Sequence, residues 1–188
     1  MSSIPVYSYV QIVDTIHLKE LKSTFREDSE DAKFVSDLVN NMTIPVNFDL
    51  ILSPASSSLL LNYFVSLLSK KYKKKTISNA FVKSLPEEIS FCTGDVILDE
   101  VTLRKMLTII DNAKRSGIFE LKKVKPIYLR KFFINLMRPT VEISLIADKK
   151  LLLVDDIITS GSTMNDMFKT LMRYGADDVV GLTLLKRQ

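Results

Sequence analysis

Residues 151–164, LLLVDDIITSGSTM, carry two adjacent carboxylates at the end of an apolar run, followed by small hydroxyl residues around one glycine. Asp155 and Asp156 repel each other, so holding them together implies a ligand that both can serve. An ionised carboxylate only accepts hydrogen bonds. A pair of them suits vicinal hydroxyls, and can hold Mg2+ through water. The residues just behind have the opposite character. Thr159, Ser160, Ser162 and Thr163 supply hydroxyls, and the loop leads into a helix whose first amides donate to an anion. Gly161 lets the backbone approach that anion with no Cβ in the way. Ser162 or Thr163 is expected to cap the helix. A ligand with a sugar diol at one end and a phosphate at the other fits: a ribose 5-phosphate.

Two other motifs with similar residues fit less well. Receiver domains bind Mg2+ with adjacent aspartates near their start, whereas only 32 residues follow Asp156 here. A Walker loop ends in GK[ST], which is absent.

The flanking pattern predicts how the pair is held. Four apolar residues in KLLLVDD (150–156) suggest a strand covered on both faces. Met164, Met167, Phe168, Leu171 and Met172 share one face of the following helix, and Gly175 lies where a C-cap glycine belongs. Elsewhere, PVYSYVQIVD (5–14), FDLILSP (48–54), KKTISNAFVKS (74–84), VEISLI (141–146) and DDVVGLTLLKR (177–187) read as strands or strand-rich segments. Helices are predicted over 18–42, split at REDSED with Ser29 or Asp28 as a cap, and over 59–71, 99–115 and 126–138, the last beginning at Pro126. Strand–loop–helix–strand units in this order predict an α/β fold: three layers, with a mostly parallel sheet flanked by helices. In such sheets ligands bind at the carboxyl ends of the strands, which is where the acidic pair falls.

Composition narrows the function classes. At 188 residues the chain suits one domain with a real core. The apolar stretch 59–68 is too short and too interrupted to span a bilayer, and the start lacks a secretory pattern. One cysteine, Cys92, excludes an internal disulfide, and with a single histidine, His17, a His- or Cys-based metal centre is not expected. The cytoplasm is the default location. A net charge of +4 supports nucleic-acid binding only weakly and suits an anionic small molecule equally. The run KKYKKK (70–75) reads as a solvated helix end. A homodimer is the expected assembly by base rate, and no membrane partner is expected.

LLLVDDIITSGST resembles the phosphoribosyl-pyrophosphate (PRPP) motif of type I phosphoribosyltransferases: four hydrophobic residues, two acidic, then a Thr/Ser-Gly-x-Thr phosphate loop. The resemblance implies that Asp155 and Asp156 are the catalytic pair and contact the ribose 2′- and 3′-hydroxyls. Thr159, Ser160, Gly161, Ser162 and Thr163 would hold the 5′-phosphate. It also implies Mg2+ as cofactor, bound through ligand and water near the acidic pair and not directly by protein. FDLILSPASSSLLLNYF is similar to the family's strand and pyrophosphate loop, which places that loop at Ala55, Ser56, Ser57 and Ser58. The order of parts is loosely similar to the competence-associated ComF-type branch. The implied organisation is one phosphoribosyltransferase-like domain over 1–188, with residues 1–45 as an N-terminal hood and 85–140 as a helical insertion or lid.

Two departures matter. Family members that salvage 6-oxopurines carry Asp at the position of Thr159, and Thr159 cannot act as a carboxylate base, so that chemistry is disfavoured. Their base-binding segment after the last strand has no counterpart before Gln188, so cover for the acceptor is expected from 1–45 or 85–140. The latter holds Arg104, Lys105, Lys114, Arg115, Lys122, Lys123, Lys125, Arg130, Lys131 and Arg138, with no single cation standing out; Lys83 is a further candidate. His17 and Cys92 have no evident chemical role. The expected function is phosphoribosyl transfer from PRPP to an unidentified acceptor with release of pyrophosphate. The alternative is a non-catalytic PRPP- or nucleotide-sensing regulator, or a nucleic-acid-associated partner, on the same fold.

Overall fold

A computed structural model describes residues 5–12 and 24–187. His17 and the helix expected from residue 18 lie largely or wholly outside these residues. The described elements run β1 (Val6–Ile12), α1 (Glu30–Asn41), β2 (Leu50–Pro54), α2 (Leu59–Tyr72), β3 (Lys75–Lys83), β4 (Ser90–Phe91), α3 (Glu100–Ser116), β5 (Phe133–Ile134), β6 (Met137–Pro139), β7 (Lys150–Ile158), α4 (Ser162–Arg173) and β8 (Asp178–Arg187). Six strands form one sheet in the order β1-β8-β7-β2-β3-β6. All pairings in it are parallel except β3 with β6, so the sheet is mostly parallel, as predicted.

The two central strands show why near-continuous apolar runs were needed. Leu50, Leu52, Leu151 and Leu153 enter one core, with Met106 and Ile110 of α3 and Met164, Met167, Phe168 and Leu171 of α4. Ile51, Leu152 and Val154 enter the other, with Val35 and Val39 of α1 and Leu61, Phe64 and Leu68 of α2. Successive strand residues point to opposite faces, so a strand covered twice must be apolar at every step. The register Leu50↔Leu151, Ile51↔Leu152, Leu52↔Leu153 keeps β2 and β7 level and ends them together at one edge of the sheet.

Caps settle several boundaries. Ser29 accepts from the Ala32 amide and opens α1. Asp99 accepts from Thr102 N, and Gly117, at φ 67°, closes α3. Gly175, at φ 82°, follows the end of α4. The lysine run is not merely solvated, because Lys71 Nζ donates to the carbonyls of Val39 (2.8 Å), Asn40 (2.9 Å) and Met42 and ties α2 to the end of α1.

Three expectations are corrected. Residues 126–138 form no α-helix; they are a 3-10 helix, Ile127–Phe132, then β5 and β6. The three amides of Asn135, Leu136 and Met137 turn away from any helical partner to one carboxylate, Asp166. The segment 85–140 is therefore α-helical only over α3, and is otherwise 3-10 turns and short strands. VEISLI is not a strand. It makes a 3-10 turn over Ile143–Leu145, where Val141 and Ile146 are buried while Ile143 and Leu145 are exposed, a spacing of five that alternation does not produce.

Candidate functional site

β7 continues through both carboxylates to Ile158, and Asp155 pairs in register with Thr183 of β8. The side chains therefore point to opposite faces. Asp155 is half-buried and its Oδ1 accepts the Asp156 amide at 2.9 Å. Asp156 is only 3% exposed. Its Oδ2 accepts the Ser58 hydroxyl at 2.8 Å, which joins two sequence segments predicted separately.

Ser58 has two tasks. It is the N-cap of α2, where its Oγ accepts the Leu61 amide at 3.3 Å, and its hydroxyl proton goes to Asp156. The loop Ala55–Ser58 thus starts at the end of β2 and stops against the acidic pair. Ser56 and Ser57 are exposed, and Ser56 Oγ accepts the Ser58 amide at 3.1 Å. No acidic residue occupies the first turn of α2, so the partial positive charge at that end stays available. Ser58→Ala is expected to lower stability by about 1 kcal/mol, the usual worth of such a cap. Urea unfolding measures this, and an unchanged midpoint would show that the cap carries nothing.

The hydroxyl loop opens α4. Gly161 is its N-cap, at φ 71°, which corrects the expectation of Ser162 or Thr163 there. That backbone region suits glycine, and Ser162 and Thr163 consequently fall in the first helical turn. Ser160 and Ser162 share a hydroxyl–hydroxyl bond of 3.0 Å. Residues 159–163 line a cavity of about 200 Å3, together with Asp155 and with Leu121, Lys122 and Arg130 from the segment between β3 and β7. Of the acidic pair, Asp155 therefore borders one space with the donor-rich loop, whereas Asp156 faces Ser58 on the other side of the strand.

Residues 99–188 match the family model of the phosphoribosyl transferase domain. This stretch is similar to a phosphoribosyl transferase domain. The acidic pair, the hydroxyl loop and the residues facing them from 121–130 all lie inside it. The match names the domain and no branch of it. No curated protein matches the chain in sequence. Among solved structures, the chain is similar to adenine phosphoribosyltransferase from Thermoanaerobacter pseudethanolicus, at 12% identity over 85% of this chain and 82% of that one, with a TM-score of 0.43. It is similar to a hypothetical protein from Neisseria gonorrhoeae with bound ppGpp, at 11% identity over 82% and 64% of the two chains and a TM-score of 0.42. A hypoxanthine phosphoribosyltransferase from Staphylococcus aureus is similar at 12% identity, over 82% and 59%, with a TM-score of 0.38.

Within the matched stretch, Asp166 fixes where the loop helix sits. It is 6% exposed, and accepts the amides of Asn135 (2.9 Å), Leu136 (2.7 Å) and Met137 (3.0 Å). Burial pushes its carboxyl above the usual range, and the three amides pull against that shift. The residue ties α4 to the turn between β5 and β6.

The basic residues of 85–140 now separate. Lys122 and Arg130 border the cavity, whereas Arg104 pairs with Glu100 on the outside of α3. Lys131 and Cys92 line a different cavity of about 680 Å3, on another side of α4, which contains none of residues 155–163. Lys83 lines a third, of about 220 Å3, which shares Leu121, Lys122 and Thr163 with the motif's cavity. Arg130 is the residue that sequence reasoning grouped but did not single out. Its apolar setting, IYLRKFF, was the available signal.

Among the described residues no helix is long and apolar enough to cross a membrane, and no group of three or more His, Cys, Asp or Glu residues could hold a metal.

Proposed function

We propose that the chain binds PRPP with Mg2+ and transfers its phosphoribosyl group to an acceptor, releasing pyrophosphate. The observation that carries this reading is the bond from Ser58 to Asp156, because it brings the serine loop of β2 against the carboxylates whose own loop borders the cavity. In this reading Asp155 and Asp156 accept from the ribose 2′- and 3′-hydroxyls and Thr159–Thr163 hold the 5′-phosphate. Ala55–Ser58 face the pyrophosphate with the open amides of α2.

The chemistry asks little covalent work of the protein. The acceptor's lone pair forms a bond to C1 as the C1–O bond to pyrophosphate breaks, and the acceptor's proton leaves to solvent. The side chains orient the sugar and keep both of its ends from drifting, so that C1 stays in line between nucleophile and leaving group. The donor set fits Mg2+ held through ligand and water near Asp155 and Asp156, since two carboxylates with no third metal-ligating side chain grouped with them among the described residues suit a hydrated ion better than a closed protein cage. When bound it would neutralise charge on the departing pyrophosphate. Cover for the acceptor falls to residues 1–45 or 85–140.

Calorimetric titration with PRPP and Mg2+, followed by a pyrophosphate-release assay against a panel of nucleobases and amines, tests the reading. Binding with release for one acceptor is expected. Absence of binding overturns it, and binding without release for any acceptor turns the assignment to a PRPP-sensing regulator.

A further inference from the structure

We infer that Arg130 is an anion ligand of the motif's cavity, and that it makes the cavity selective for a phosphomonoester dianion. The inference deepens the PRPP reading, on which its choice of sugar phosphate rests.

Arg130 is 7% exposed, a setting in which a guanidinium is costly unless its charge is met. Among the described residues it has no carboxylate partner. Nε donates to the Val124 carbonyl at 3.1 Å and Nη2 to the Lys122 carbonyl. These neutral acceptors fix the plane of the fork and leave its net charge unanswered. Nη1 makes no hydrogen bond to the described residues. Among the described residues no fully buried side-chain nitrogen or oxygen lacks a partner, so Nη1 is not sealed in. The space bordered by Arg130 is the cavity lined by residues 159–163. An arginine held by carbonyls and in no ion pair with the described residues, the half-buried Asp155 carboxylate and a Gly-centred loop of hydroxyls therefore border one volume of about 200 Å3.

Lys122 borders the same cavity but is spoken for. Its ammonium lies 3.0 Å from Glu120, its side chain is 78% exposed, and with Lys123 it holds the Glu120 carboxyl down to about 2. An exposed, paired lysine adds little to anion affinity. Arg130 is buried, and its planar fork suits two oxygens of one phosphoryl group. A phosphate near pH 7 carries close to two negative charges, with a second pKa of about 6. A single fixed guanidinium beside hydroxyl donors rewards the second of those charges.

The experiment titrates inorganic phosphate and ribose 5-phosphate separately into the wild-type chain, Arg130→Gln and Arg130→Lys, between pH 5.5 and 7.5. Wild-type affinity for both probes is expected to rise with pH through the second phosphate pKa. Arg130→Gln should weaken both by about 10- to 100-fold, as for a lost charge-assisted hydrogen bond, and flatten the pH profile. Arg130→Lys should recover part of the affinity. If Arg130 only braces the 121–124 turn, Arg130→Gln lowers the melting temperature but leaves both affinities and the pH slope unchanged, and the inference is overturned. Should the variants not fold, the guanidinium N–H signals of wild-type Arg130, assigned through the backbone, decide it. They should move on adding inorganic phosphate, and signals that stay in place refute the contact. The PRPP reading fails separately: phosphate that binds at Arg130 while ribose 5-phosphate gains nothing over it leaves the anion site standing and removes the sugar.

Discussion

Replacing Asp155 and Asp156 together with asparagine should abolish measurable PRPP binding while leaving the chain folded. Asparagine keeps the volume of each side chain and one acceptor oxygen, so Ser58 retains a partner for its hydroxyl at position 156. The negative charges are lost, and a donor stands where an acceptor oxygen stood. A hydrogen bond to a charged group contributes about 1.5–3 kcal/mol. Losing two should therefore cost about 3 kcal/mol or more, beyond a hundredfold in affinity at about 1.4 kcal/mol per factor of ten. Stability should change little, because removing adjacent like charges offsets part of what the bonds supplied. Calorimetry gives the affinity, and circular dichroism with a thermal melt gives the fold. Wild-type affinity in the double variant would sink the assignment of the pair.

The largest loss of stability is expected at Asp166. Asp166→Ala leaves the amides of Asn135, Leu136 and Met137 without the acceptor they now share. Two of those bonds are buried, and the aspartate itself is 6% exposed, so water does not readily replace it. At about 1 kcal/mol for each orphaned donor the change should cost roughly 3 kcal/mol. For a chain of this size that lowers the melting temperature by about 6–12 °C. Asp166→Asn, which keeps one acceptor oxygen, should fall between. The same variants should loosen ribose 5-phosphate binding, since the turn and the loop helix no longer share an anchor. A melt within 2 °C of wild type for Asp166→Ala would show that the three bonds contribute nothing net.

The parts of this molecule visible in the sequence are those whose cause is local. KLLLVDD reads as a doubly covered strand because all four positions between Lys150 and the carboxylates are apolar, and β7 is that strand. α3 is framed by an acidic cap and a glycine eighteen residues later, both recognisable without a neighbour. The misread segments depend on partners distant in sequence. Pro126 and the apolar-basic pattern behind it favour a helix, but the amides of 135–137 are claimed by a residue about 30 positions on. Gly161 rather than Ser162 or Thr163 caps α4 because the loop's left-handed step falls there, a choice of backbone that hydroxyl residues do not announce. Arg130 looks like nine other cations in its segment until burial and the lack of an ion pair with the described residues distinguish it.

The adjacency of β7 and β2 carries a dimensional consequence. Neighbouring strands lie about 4.8 Å apart, and the level register of these two brings the acidic pair and the serine loop to the same edge. The pitch of the sheet is therefore a ruler for whatever spans them. It is graduated by backbone hydrogen bonds, so side-chain substitution at either loop can change how firmly a ligand is gripped but not the length that is measured. If the PRPP reading holds, a molecule with its charged groups one sugar ring apart would meet both loops at once, and a longer or shorter one would give up an end.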